Sequence, residues 1–243
     1  MKKTLLIILA IVVCAVAGAV YVGHSAYRAI KDVIASGCVN GCVQVNNGGP
    51  LIKGSGVIKT ESRAVAPFTA IRLDVPANVV IDRTGTQSLT LTADDNLLAL
   101  FTSEVKDGTL YLAVAKDKSF QAKSVVFHVT VADLRGIEIR GSGDVKAGHL
   151  EGPSLAVAIA GSGDAQLAGR VDDLTLSIKG SGDVDAGGLV AKRAKVVMSG
   201  SGDATVNATD TLDVRMSGSG DLRYRGAPKL TRDVHGSGSI SQQ

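Results

Sequence analysis

Five copies of Gly-Ser-Gly-Asp, starting at Gly141, Gly161, Gly180, Gly200 and Gly218, bring a carboxylate into the chain every 18–20 residues. A sixth copy, Gly236-Ser237-Gly238-Ser239, carries serine where the others carry aspartate. If the repeats stack, Asp144, Asp164, Asp183, Asp203 and Asp221 form a row at strand spacing, ~5 Å apart. Neighbouring charges at that distance repel by about 1 kcal/mol per pair in water, so something must offset them. One answer is structural: each carboxylate accepts main-chain N–H bonds at its corner, with serine hydroxyls alongside. The other is a bound cation such as Ca²⁺, which gathers six to eight oxygens. Calcium-binding toxin repeats have about half this period and more glycines, and each corner here supplies a single carboxylate. The structural role is therefore the first expectation and a weak Ca²⁺ row the second. A third chemistry is that of polysaccharide-active β-helices, which need two acids ~5–9 Å apart in different environments. Equivalent copies of one aspartate meet the distance but not the difference.

The remaining reactive residues are dispersed. His24, His128, His149 and His235 show no metal spacing, and neither a Gly-x-Ser-x-Gly elbow nor a phosphate loop is present. Cys38 and Cys42 form a Cys-x-x-x-Cys pair in a Gly/Asn-rich stretch. In an oxidising compartment they are a candidate disulfide loop, the alternative being two thiols in a stalk. A metal site there would need further ligands nearby. The formal charge of +3 resides in the first 38 residues, and the rest of the chain is balanced. With no basic run to neutralise phosphates, nucleic acid is not an expected partner. No cofactor is expected beyond the weak calcium option.

The elements that carry the row can be read from the residues around each Gly-Ser-Gly. Six, four and two positions before the first glycine stand Leu155, Val157, Ile159; Leu174, Leu176, Ile178; Ala194, Val196, Met198; and Leu212, Val214, Met216. This alternation marks a strand with one buried face. After each aspartate a second strand opens on an apolar residue: Val145, Ala165, Val184, Ala204 and Leu222. A unit this short cannot bury its apolar face alone, whereas stacked units share a continuous core. The expected fold is all-β, a single-stranded parallel β-helix with 18–20 residues per C-terminal coil, right-handed by the crossover rule. A narrow stacked core also suits a chain with no Trp, four Phe and four Tyr.

Residues 56–140 read as less regular early coils of the same solenoid, a lid over its open end being an option, with Asp94-Asp95-Asn96 capping a short helical turn. Residues 141–243 are the repeat coils. Their last member has Arg232 where earlier coils have Val157, Leu176, Val196 and Val214, which marks a terminal cap. Residues 27–55 read as a linker. Residues 1–26 begin Met1-Lys2-Lys3 and continue into an apolar run, Leu5 to Gly23. Lysines before such a run direct the downstream chain outward. The run is long enough for an uncleaved anchor, and Ala15-Val16-Ala17 or Ala17-Gly18-Ala19 suits a cleaved signal peptide. Either way the body is expected in the cell envelope, periplasmic or extracellular, tethered to a membrane or secreted.

Ala66-Pro67-Phe68-Thr69-Ala70-Ile71, Ala93-Asp94-Asp95-Asn96-Leu97, Asp107-Gly108-Thr109-Leu110 and Leu134-Arg135-Gly136-Ile137-Glu138-Ile139-Arg140-Gly141-Ser142-Gly143-Asp144 together resemble the GIN domain family, described as a putative auto-transporter adhesin head domain. The resemblance runs from about residue 56 to 238. It implies a β-helical fold and a cell-envelope role and brings no catalytic residues. The functional expectation is an exported, non-enzymatic binding or adhesion-type module, engaging an unidentified envelope component, surface glycan or protein. A structural envelope protein and a polysaccharide-active enzyme are the alternatives. A homo-oligomer is open.

Overall fold

The computed structural model describes residues 43–243. The expectations for the export segment and for Cys38 and Cys42 lie outside those residues. Among the described residues no helix is long and apolar enough to cross a membrane. The strands of the first half are β1 (Val43–Val45), β2 (Leu51–Lys53), β3 (Ile58–Arg63), β4 (Ala70–Leu73), β5 (Asn78–Arg83), β6 (Ser88–Asp94), β7 (Phe101–Lys106), β8 (Thr109–Val114), β9 (Ser119–Ala122) and β10 (Val126–Val131). The second half holds β11 (Gly136–Gly141), β12 (Asp144–Gly161), β13 (Ala165–Gly180), β14 (Val184–Gly200), β15 (Ala204–Gly218), β16 (Leu222–Arg225), β17 (Lys229–Gly236) and β18 (Ile240–Gln242). The outcome is a β-solenoid of about five turns.

Strands β11 to β18 stack in parallel and in register, as the repeat spacing demands. Leu176 sits between Val157 and Val196, and Ile178 between Ile159 and Met198. Both columns continue upward to Val214 and Met216. Downward they pass through Ile137 and Ile139 into Ile71 and Leu73 of β4. On the opposite wall Val79, Val145, Ala165, Val184, Ala204, Leu222 and Ile240 form one column. Leu176 is fully buried, and burying a leucine of this kind stabilises the fold by about 1.5–3 kcal/mol. The loop lengths vary where β12–β15 turn back, and the register slips there, between Ala147 and Leu150 for example. The apolar columns absorb the 18-, 19- and 20-residue spacings of the repeat without losing step.

Within residues 56–140, β4 and β5 continue the coils, lying parallel under β11 and β12, and β8 and β10 in turn pair parallel with β4 and β5. Antiparallel pairings, β7 with β8, β6 with β10 and β3 with β6, interrupt the stack there. β7 and β8 form a two-residue hairpin through Asp107-Gly108, both at positive φ (50° and 71°), the turn for which Asp-Gly is suited. β10 lies parallel to β5 and antiparallel to β6, and β3 closes that edge antiparallel to β6. Residues 43–53 correct the linker expectation, because β1 and β2 flank β9 in a three-stranded sheet. Val43, Val45 and Ile52 pack on the core, too few apolar positions to stand out from the Gly/Asn-rich sequence around them.

This end is filled by rings. Phe101 meets Phe120 edge-on at 5.1 Å and Phe127 at 6.1 Å between centroids. Arg63 reaches inward from the last strand. Its guanidinium donates to the carbonyls of Phe101 (2.6 Å) and Leu98 (2.7 Å), satisfying main-chain acceptors that a coil below would otherwise meet.

Candidate functional site

The five aspartates stand in one row at the corner of successive coils, where the chain leaves one wall for the next. The coil of Asp164 shows the pattern. The N–H groups of Ser162 and Gly163 both donate to the Gly141 carbonyl, at 2.8 and 3.1 Å. The Asp164 carbonyl accepts from Val145 N–H at 2.8 Å. The Asp164 N–H donates to the Asp144 carboxylate at 3.0 Å. The same side-chain bond recurs from Asp183 to Asp164 (2.9 Å), Asp203 to Asp183 (2.7 Å) and Asp221 to Asp203 (2.8 Å). Each carboxylate thus accepts the N–H of the aspartate one coil on, a charge-assisted bond that offsets part of the repulsion along the row. The offset comes from the neighbouring coil rather than from the residue's own turn.

Ser239 ends the row. Its N–H and hydroxyl both donate to Asp221, at 2.9 and 2.8 Å. These two bonds, hydroxyl first, hold the Asp221 carboxyl below the usual carboxylate range. At the other end Asp144 is shifted the opposite way. Desolvation is the largest cause, the Asp164 N–H opposes it, and the Asp164 charge adds to it. The serines of the repeat, Ser142 to Ser237, are exposed beside the row.

The two glycines of each corner share one constraint and differ in another. Gly161, Gly180, Gly200 and Gly218 have φ between 129° and 146°, which L side chains rarely adopt. Gly163, Gly182, Gly202 and Gly220 are buried and need no such φ. A Cβ on Gly182 would collide with the Gly163 carbonyl oxygen. A Cβ on Gly180 would likewise collide with the Gly161 carbonyl oxygen, so both columns are glycine because the coils touch main chain to main chain, and the first is fixed further by its φ.

Among the described residues no group of three or more His, Cys, Asp or Glu side chains is arranged to hold a metal ion. The histidines do not converge on the aspartate row. His128 is buried in the N-terminal half with Nε2 3.3 Å from Asp82. This imidazole, aided by the charge of His149, keeps the Asp82 carboxyl below its ordinary range despite burial. Sequence reading missed this pair, for the two residues are 46 positions apart and only the β5–β10 pairing brings them together.

Asp94, Asp95 and Asn96 do not cap a helix. The next turn is a 3₁₀ turn over Leu98–Leu100 without a side-chain cap. Instead the three side chains clasp the segment before β3. Asp94 accepts from Gly56 N–H (2.7 Å), Asp95 from the Ser55 hydroxyl (2.5 Å), and Asn96 from Ser55 N–H (2.9 Å).

The model of the family described as "Putative auto-transporter adhesin, head GIN domain" matches residues 67–228. Among solved structures, a putative adhesin from Bacteroides fragilis is 28% identical and superposes with a TM-score of 0.66, over 79% of this chain and all of that one. A putative lipid binding protein and a putative adhesin, both from Parabacteroides distasonis, are 23% and 22% identical with TM-scores of 0.53 and 0.50. Each covers 80% of this chain and 100% of its own, and at that identity the likeness is one of fold. No curated protein matches.

Proposed function

We propose, from the premise that this chain belongs to the auto-transporter adhesin head GIN domain family, that it is an exported, non-catalytic adhesion-type module of the cell envelope. The observation that carries the reading is the aspartate row. Its carboxylates are the most suggestive reactive groups in the sequence, and every one accepts a main-chain N–H of the next coil. Acid–base catalysis needs two carboxyls with separate tasks and separate environments. Neighbouring carboxylates of this row make the same bond, and the two that differ, Asp144 and Asp221, stand at its opposite ends, about 19 Å apart at strand spacing; such a row supplies rigidity and a regular outer surface, which is what a binding scaffold requires.

The test has two arms. Cells expressing the full chain and cells lacking it are compared for adherence to immobilised glycans and host-surface proteins, with fractionation locating the protein. Loss of adherence in the deletion strain, with the chain in the envelope fraction, supports the reading. Unchanged adherence together with turnover of acidic polysaccharides by the purified chain would replace it with the enzymatic alternative. Unchanged adherence with a weakened envelope and no turnover would favour a structural role.

A further inference from the structure

Four large hydrophobic side chains are exposed among the described residues, and three of them, Leu51 (44%), Val57 (59%) and Ile58 (50%), fall within one stretch of eight residues. The stretch lies at the N-terminal base of the solenoid. In β2, Ile52 packs on the core, so Leu51 and Lys53 on either side of it face away. In β3, the last strand at this end of its wall, Lys59 pairs with buried Ala93 and so lies on the core side, beyond the end of the core. The segment Leu51 to Lys59 carries two lysines and no acidic residue. Neither lysine forms an ion pair among the described residues. The turn before β9, which pairs with Leu51 through Ser119, adds Lys116 and Lys118 beside Asp117. The Asp94–Asn96 clasp holds this lip in place through Ser55 and Gly56, the Asp94 and Asp95 carboxylates accepting from those donors.

A single exposed apolar residue needs no explanation; a cluster with unpaired lysines does. The nearest chain outside the described residues, 1–42, holds the apolar run Leu5 to Gly23 and enters the domain at β1, in the same three-stranded sheet as β2. We infer that the base of the solenoid is a membrane-contact surface. Leu51, Val57 and Ile58 enter the headgroup boundary of the bilayer, Lys53 and Lys59 lie against anionic headgroups, and the Arg232 end points away. Apolar side chains beside lysines are the combination that binds an anionic membrane interface. The inference rests on the envelope reading above, specifically on residues 5–23 engaging a membrane.

The chain contains no tryptophan, so Val57→Trp gives a single reporter at the lip and Thr175→Trp one on the exposed outer wall. Each full-length variant is reconstituted into vesicles of 70% phosphatidylcholine, brominated on its acyl chains, and 30% phosphatidylglycerol. At the lip, bromine should quench fluorescence at least threefold more strongly than on the wall, with a blue-shifted emission. Replacing Lys53 and Lys59 by Glu should reduce that quenching by about half or more, as should replacing phosphatidylglycerol by neutral lipid. Vesicle-bound protein whose lip reporter is quenched no more than the wall reporter overturns this inference and leaves the envelope reading standing. Protein that fails to co-float with vesicles removes the membrane attachment itself, and both fall.

Discussion

The two halves of the solenoid solve the same problem, a buried core with all main-chain groups paired, by different means. Residues 141–243 repeat one solution. Aliphatic columns stack in register, and main chain touches main chain at glycine corners. The half below has no repeat to rely on. It ends the stack with antiparallel strands, a Phe101–Phe120–Phe127 cluster and an inward arginine. All four phenylalanines of the chain lie in this half and all are buried. A ring fits where layers differ, whereas in a uniform stack each residue must match the one above and below. The comparison teaches that the repeats define the fold while the cap defines where the fold stops.

The largest effect should come from breaking the stack. Leu176→Asp places an unpaired charge between Val157 and Val196, at a cost of about 3–5 kcal/mol. Because coils touch only their neighbours, the damage should spread, and hydrogen exchange should show lost protection in β12 through β14. A variant that melts like the parent would sink the stacking account. Phe127→Ala in the cap should cost about 3–4 kcal/mol, but with exchange increasing first in β6, β7, β9 and β10 while β14 and β15 stay protected. If both variants lose protection in the same order, the two regions do not differ in the way described.

A smaller effect sharpens the reading of the aspartate row. Asp183→Ala removes the acceptor of the Asp203 N–H and should cost about 1 kcal/mol by denaturant titration. Asp183→Asn, which keeps a carbonyl acceptor and removes a charge, should recover most of it. If Asn is as damaging as Ala, the negative charge itself matters and the hydrogen-bond account of the row is incomplete.

The smallest effect is a pH difference between the ends of the row. Asp221 has a lowered folded pKa, so its contribution is present above the ordinary carboxylate value of about 3.9 and fades as pH falls through the folded pKa. Asp144 has a raised one, so protonation favours the fold there. That contribution is complete below about 3.9 and is lost as pH rises through the folded pKa. Carbon-detected NMR titration should therefore find Asp144 titrating above Asp221. Ser239→Ala, which deletes the hydroxyl donor, should move Asp221 upward and leave Asp144 unchanged. Equal midpoints in the parent would contradict the opposite environments of the two ends.

Much of the repeat half was legible because its constraint is local and recurs. A period of 18–20 residues with period-two alternation admits few folds, and stacking is then required to bury each apolar face. The corner glycines were legible as special, but what fixes each of them was not. The left-handed φ of Gly180 is a property of its own residue, while the carbonyl one coil away that excludes a Cβ at both Gly180 and Gly182 is met only once the coils stack. The cap was the least legible part. Asp107-Gly108 signalled its hairpin by turn chemistry alone, but the pairing of β10 with both β5 and β6 joins segments with no repeat between them.

The sequence by itself determined the solenoid, its coil length, its internal columns and the existence of an aspartate row, because each is written once per repeat and reinforced by every copy. Only the tertiary structure decided what the aspartates bond to, how the stack is closed below, and that Leu51, Val57 and Ile58 remain exposed at its base. Those outcomes depend on which segments meet in space, and nothing in the local alternation of apolar and polar residues encodes the meeting.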